Sequence, residues 1–129
     1  ALAEAMAAVR VATGIDVELE RSYGEFLALN EPMKRLCTEW QLEGKPARCV
    51  HELTALHLDL EPVLAALGTT SPWFDRYPPR FRAALDRLRA GDSDALTKPL
   101  SGSYHDVWME LHQDLLLTLG RTRTDADGH

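Results

Sequence analysis

The chain has 129 residues, 45% of them apolar and 26% charged, with a formal net charge of −6. One compact domain fits that length, and the composition excludes a wholly disordered chain, a collagen-like repeat and a disulfide miniprotein. The acids outnumber the bases by 11 to 6 over residues 1–61 and by 9 to 8 over 62–129, which argues against a general nucleic-acid surface, because such affinity comes from Lys and Arg displacing counterions at phosphates.

Residues 1–12 combine strong helix formers with Leu2, Met6 and Val9 at helical spacing, and Gly14 stands where a helix ends. The spacing predicts a first helix there. Asp16 caps a second that runs to about Asn30, with Leu19, Tyr23, Phe26 and Leu27 on its inner stripe. Asn30-Glu31-Pro32 reads as a stop and a restart, and a third helix carries Met33, Leu36, Cys37 and Trp40 to about Gly44. Residues 43–48 form the expected flexible connection.

From Cys49 to Leu67 the apolar stripe is Leu53, Leu56, Leu60, Val63, Leu64 and Leu67, with Pro62 inside it. An interior proline removes one backbone hydrogen bond and clashes with the preceding turn, so a kink or a break is expected near residues 59–61. Ser71-Pro72 opens a short turn through Trp73 and Phe74, which Tyr77-Pro78-Pro79 ends. A helix over 79–90 follows, then one further turn over 93–97 capped by Asp92. Ser103 with Asp106 three residues on is a capping-box variant that launches the longest unbroken helix, to Leu119 and Gly120. Residues 121–129 lack a periodic apolar face and are expected to form a flexible tail.

No run shows the period-two alternation of strands. The predicted fold is all-α: a single compact bundle of six or seven helices over residues 1–120. No stretch approaches the roughly 20 apolar residues of a membrane span, and the beginning lacks the basic head of a signal peptide. Two cysteines, Cys37 and Cys49, are too few for a disulfide framework, so a cytoplasmic setting is expected. The chain opens at Ala1 in what reads as mid-helix, which suggests a longer polypeptide.

His51 and His57 in the run H-E-L-T-A-L-H superficially match the zinc-protease motif, but they are six apart, which leaves them roughly 120° out of alignment on a helix. No ligand spacing supports a metal site. His105 and His112 are seven apart on nearly one face, about 10 Å from each other, and with Met109 and Leu116 form a column expected to line one groove. His57 shares a face with Leu53, Leu60 and Leu64, and Glu61 one turn later is placed to hold its imidazole. Such histidines are more often packed in a core than engaged with a ligand.

Aromatic residues are the second constellation. Tyr and Trp combine apolar area with a polar donor, which suits the wall of a small-molecule pocket, although helical spacing also suits plain core packing. Tyr104, His105, Trp108 and His112, with His57, Trp40 and Tyr23, are the candidate ligand-binding residues. Arg76 and Arg80 at the Tyr-Pro-Pro corner are candidates for a secondary anion contact, and Arg82 is expected to pair locally with Asp86. G-x-S-x-G, S-x-x-K, the P-loop and G-x-G-x-x-G are all absent, and Cys37 shares its stripe with Met33 and Trp40 as a small hydrophobe would. No catalytic residue is assigned and no cofactor is implied.

Pro72-Trp73-Phe74, Tyr77-Pro78 with Arg80 and Phe81, then Ser103-Tyr104-His105, Trp108, Glu110-Leu111-His112, Asp114-Leu115-Leu116 and Leu119-Gly120 resemble a helical domain of actinobacterial proteins, found after an N-terminal winged-helix, MarR-like DNA-binding domain. The resemblance covers about the last fifty residues, and Trp40-Gln41-Leu42 more loosely. It implies an effector-sensing or dimerisation module of a transcriptional regulator, with DNA contact made by a domain outside this chain; the apolar stripes of the first and last helices equally suit the interface of a two-fold homodimer. The alternatives from other classes are a small helical enzyme or metal-binding protein using His105 and His112 beside Glu110, and a ligand-free interaction domain.

Overall fold

The computed structural model describes residues 15–120, so the expected helix at 1–12 and the tail at 121–129 lie outside the described residues. Within them the chain is all-helical, with four α-helices and no strand: α1 Ile15–Leu42, α2 Ala47–Thr70, α3 Tyr77–Arg89 and α4 Tyr104–Leu119, plus a 3-10 turn at Pro72–Arg76. The expected six or seven helices are corrected to four. The second and third expected helices are one rod, and residues 93–97 make only a turn.

Two prolines explain most of that difference. Pro32 lies inside α1 and Pro62 inside α2, and both helices run through them. Each proline deprives the carbonyl four residues earlier of its partner, and those carbonyls belong to Ala28 and Leu58, both solvent-exposed residues. On that exposed side the two carbonyls are open to hydration. The flanking Phe26, Met33 and Leu36, and Leu60, Val63 and Leu64, are buried on the opposite side and hold each rod together. Asn30 is no cap: its side chain is buried and accepts a hydrogen bond from Trp108 Nε1 at 2.9 Å.

The α1–α2 connection is tight. Gly44 and Lys45 both take positive φ, 76° and 59°, and Lys45 N–H donates to Trp40 O at 2.9 Å, ending α1 in a left-handed turn. So short a link returns α2 antiparallel along α1, the pair with the most extensive packing in the fold. The 3-10 turn and α3 lie against α2, and α4 packs on α3 and α1. Pro78 and Pro79 sit in the first turn of α3, where a missing N–H costs nothing, so that helix opens at Tyr77 rather than after the prolines.

α4 begins and ends as its sequence predicts. Ser103 Oγ accepts from Asp106 N–H at 3.2 Å, and Gly120 closes the helix at φ 72°. Asp106 in turn accepts from the N–H groups of Ser101 and Gly102. The N–H groups of Tyr104 and His105 donate to Ala95 O and Leu96 O, so the start of α4 is closed by protein groups. One core gathers the inner stripes of all four helices, and the apolar stripe of α4 is spent within it rather than presented to a second copy.

Candidate functional site

Of the residues picked from the sequence as a cavity lining, Tyr23, Tyr104, Trp108 and His112 interlock with other rings of the core. Tyr104 is 0% exposed, Trp108 1% and His112 1%. Trp108 lies 4.8 Å from Phe26, 6.2 Å from Phe81 and 6.4 Å from Tyr104, ring centre to ring centre, and Phe81 sits 4.9 Å from Tyr104. His112 packs edge-on to Phe26 at 5.3 Å and is 6.1 Å from Tyr23. These are the stacked, tilted and edge-to-face arrangements of a packed aromatic core. Trp40 is also buried, with its indole N–H unbonded among the described residues.

The expected histidine column divides. His105 is half-buried and lines a pocket of about 290 Å³ with Cys37, Gln41, Thr97 and Pro99, whereas His112 is within the core. Glu110 is exposed and holds Arg80, so His105, His112 and Glu110 do not converge on a common point. Cys37 is buried, and burial, reinforced by neighbouring Cys49, pushes its thiol up to about 12. It is a small hydrophobe, as expected, not a thiolate nucleophile. His51 is exposed and His57 buried, in keeping with their spacing of six.

His57 anchors a polar chain running from the core to the surface. Its Nδ1 is 2.8 Å from Tyr104 Oη and its Nε2 is 2.7 Å from Glu61 Oε1. A carboxylate only accepts, so in the neutral tautomer Nε2 carries the proton and Nδ1 accepts from the phenol. Burial, with the Glu61 charge nearby, pushes the Tyr104 phenol up. The far side of Glu61 takes a two-pronged contact from Arg82, Nε at 3.0 Å and Nη2 at 2.7 Å, so Arg82 reaches across to α2 instead of pairing with Asp86 on its own helix. Every member is satisfied, and Tyr104 is sealed from solvent.

The Arg82 hydrogen bonds, against the opposing effect of burial and helped by His57, hold the Glu61 carboxyl below its ordinary value of 4.5. A depressed carboxyl contributes stability that is fully present above its unfolded value and is lost as pH falls through the folded one. Glu61→Gln is therefore expected to cost about 0.5–1 kcal/mol at pH 7 and to flatten the loss of stability below about pH 5. Urea unfolding at a series of pH values checks it: parallel wild-type and variant curves down to pH 3 contradict the assignment.

Among the surface clefts of the described residues, the one richest in charged and aromatic side chains lies between the 3-10 turn, α3 and α4. A cleft of about 310 Å³ is walled by Trp73, Arg76, Tyr77, Arg80, Glu110, Gln113 and Asp114. The two arginines of the expected anion contact are thus brought together, with carboxylates facing them. Asp114 Oδ2 accepts from Trp73 Nε1 at 3.2 Å and from the Tyr77 hydroxyl. Burial and then that bond push the Tyr77 phenol up. Arg80 Nη1 bonds Glu110 Oε2 at 2.5 Å. The Arg76 guanidinium stacks 3.3 Å over the centre of the Trp73 ring, and its Nε donates to Trp73 O at 3.0 Å. Its two Nη groups have no carboxylate partner among the described residues. Asp114 and Gln113 were missed as site residues because nothing local marks them: Asp114 meets its partners 37 and 41 positions away.

No helix among the described residues is long and apolar enough to cross a membrane. Comparison with known proteins returned no match, whether to a family model, a curated protein or a solved structure.

Proposed function

We propose that this chain is a ligand-binding, effector-responsive helical module, and that its effector binds in the cleft between Trp73 and Asp114 rather than among the core rings. The observation that carries this reading is Arg76, which lines the cleft with its guanidinium pre-positioned on an indole face and its Nη groups without a carboxylate partner among the described residues. A planar, two-donor edge of that kind matches a carboxylate or phosphate. Glu110 and Asp114 on the facing wall accept donors, so the ligand class is a small molecule carrying an anionic group beside a hydroxyl or ammonium.

Asp114 joins α4 to the 3-10 turn through Trp73 and to α3 through Tyr77. A ligand that donates to this carboxylate competes with both bonds, and so favours one packing of the turn against α4 over another; only such a difference in affinity transmits a signal. In a MarR-like regulator, the setting that the resemblance of residues 72–120 implies, this repacking would alter the geometry of an attached DNA-binding domain in a homodimer. The ring core favours a second reading, a ligand-free interaction module, since its aromatics already serve one another.

The test is calorimetric titration with succinate, inorganic phosphate and a series of α-amino acids, against wild type and Arg76→Ala. Arg76 is exposed, so the variant should keep the wild-type melting temperature. At least one probe is expected to bind wild type and to weaken tenfold or more, about 1.4 kcal/mol, in the variant. Silence from every probe, or equal binding to both proteins, favours the interaction module.

A further inference from the structure

The α1–α2 hairpin holds a second cluster that the cleft does not involve. Three carboxylates there surround one guanidinium: Arg48 Nη1 lies 2.7 Å from Glu39 Oε1 and 3.3 Å from Glu52 Oε1, and its Nη2 bonds Glu43. Three negative charges against one leave a local excess of acid. Cys49 lies beneath, in the first turn of α2, 0% exposed and with no hydrogen bond to its thiol among the described residues. Its sulfur and one oxygen each of Glu39 and Glu52 all lie within 4.8 Å of one another.

We propose that Glu39, Cys49 and Glu52 form a site for a thiophilic divalent cation of the zinc or cadmium type, with Arg48 as the cation it displaces. Tetrahedral ligands at about 2.0–2.3 Å from zinc stand about 3.3–3.8 Å apart. Closing a triangle of at most 4.8 Å to that size takes about 1 Å of movement, which two glutamate side chains on a helical hairpin supply by rotation. The sulfur sets the class of metal: carboxylates alone suit magnesium or calcium, while one thiolate shifts preference to zinc and its heavier congener. The Cys49 sulfur lies within 4.8 Å of a carboxylate oxygen on each side, whereas Cys37 is packed with Met33 and Trp40 on its own helix face. In the exchange the metal–sulfur bond forms as the S–H bond breaks, one proton leaves for solvent, and the Arg48 guanidinium swings out, keeping Glu43. Water completes the coordination.

The site uses α1 and α2 only, so its fate is independent of the cleft. The experiment is titration of the full, reduced chain with cadmium chloride, read by the ultraviolet thiolate-to-metal charge-transfer band and by proton release in weak buffer, with zinc as competitor. One ion per chain, one proton released and displacement by zinc are expected. Cys49→Ser should abolish the band and Cys37→Ser retain it. Glu39→Gln and Glu52→Gln should each weaken binding tenfold or more. Arg48→Ala removes the competitor and should tighten binding several-fold, whereas a purely structural ion-pair cluster would leave cadmium affinity unmoved. Circular dichroism confirms that each variant is folded, and the exposed Arg48→Ala variant keeps the proposal testable if Cys49→Ser does not fold. A band unchanged in Cys49→Ser, no band in wild type, or unchanged or weaker binding in Arg48→Ala overturns it.

Discussion

Trp108→Ala is expected to lower the unfolding free energy by about 4 kcal/mol or more. The indole is 1% exposed and fits between Phe26, Phe81 and Tyr104, so its removal opens a void that rigid aromatic neighbours cannot collapse to fill. Large-to-small substitutions of buried aromatics cost about 3–5 kcal/mol for that reason. The indole also donates to Asn30 Oδ1 on α1, and leaving this buried amide oxygen without its donor adds about 1–3 kcal/mol. For a domain near the lower end of the usual range of about 5–15 kcal/mol, that loss leaves little or no net stability. Trp108→Phe keeps most of the packing and loses the bond, so it should cost about 2 kcal/mol. Urea denaturation followed by far-ultraviolet circular dichroism ranks the two. A ring that borders a vacancy has fewer neighbours to lose, so a cost under about 1 kcal/mol for Trp108→Ala would restore the enclosed receptor cavity that the sequence pattern suggested.

That experiment bears on why some features were legible and others not. α4 was legible in full because its start, face and stop are all local: Ser103 meets Asp106 three residues on, and Gly120 supplies the left-handed cap. The bond between His57 and Glu61 was legible on the same ground, one helical turn. Asn30-Glu31-Pro32 misled for the opposite reason. Its local chemistry is that of a helix boundary, and what overrides it is an indole 78 residues away that engages the Asn30 side chain, together with the exposure of the carbonyl Pro32 leaves unbonded. Periodicity identified the inward faces correctly, since Tyr23, Trp40, Tyr104 and Trp108 are all buried. It carries no information on whether an inward face meets another face or a void. The same limit hid the cleft and the hairpin cluster. Arg80 finds Glu110 thirty positions on, Arg82 finds Glu61 on a different helix in place of Asp86, and Glu39 meets Cys49 only because the turn at Gly44 and Lys45 folds the hairpin back.

Asp114→Ala should be the most damaging single change at the surface of the fold, about 2–3 kcal/mol. One carboxylate oxygen receives both the Trp73 indole N–H and the Tyr77 hydroxyl, and hydrogen bonds to a charged group are each worth about 1.5–3 kcal/mol when partly shielded. Their full sum is not reached because Asp114 and Trp73 are only half-buried, so water recovers part of what is lost. Tyr77 itself is buried, and its hydroxyl then faces the cleft without an acceptor. Asp114→Asn retains a carbonyl oxygen and loses the charge, so it should cost about 1 kcal/mol. Arg76→Ala, which removes an exposed stack and no buried bond, should sit near zero beside them. Chemical denaturation of the three variants checks this order. The order matters for the proposed mechanism, because a ligand that competes for Asp114 can shift the packing of the 3-10 turn against α4 only by as much as the Trp73 and Tyr77 bonds contribute. If Asp114→Ala were as silent as Arg76→Ala, those bonds would hold nothing in place, and occupation of the cleft would have no element of the fold to move.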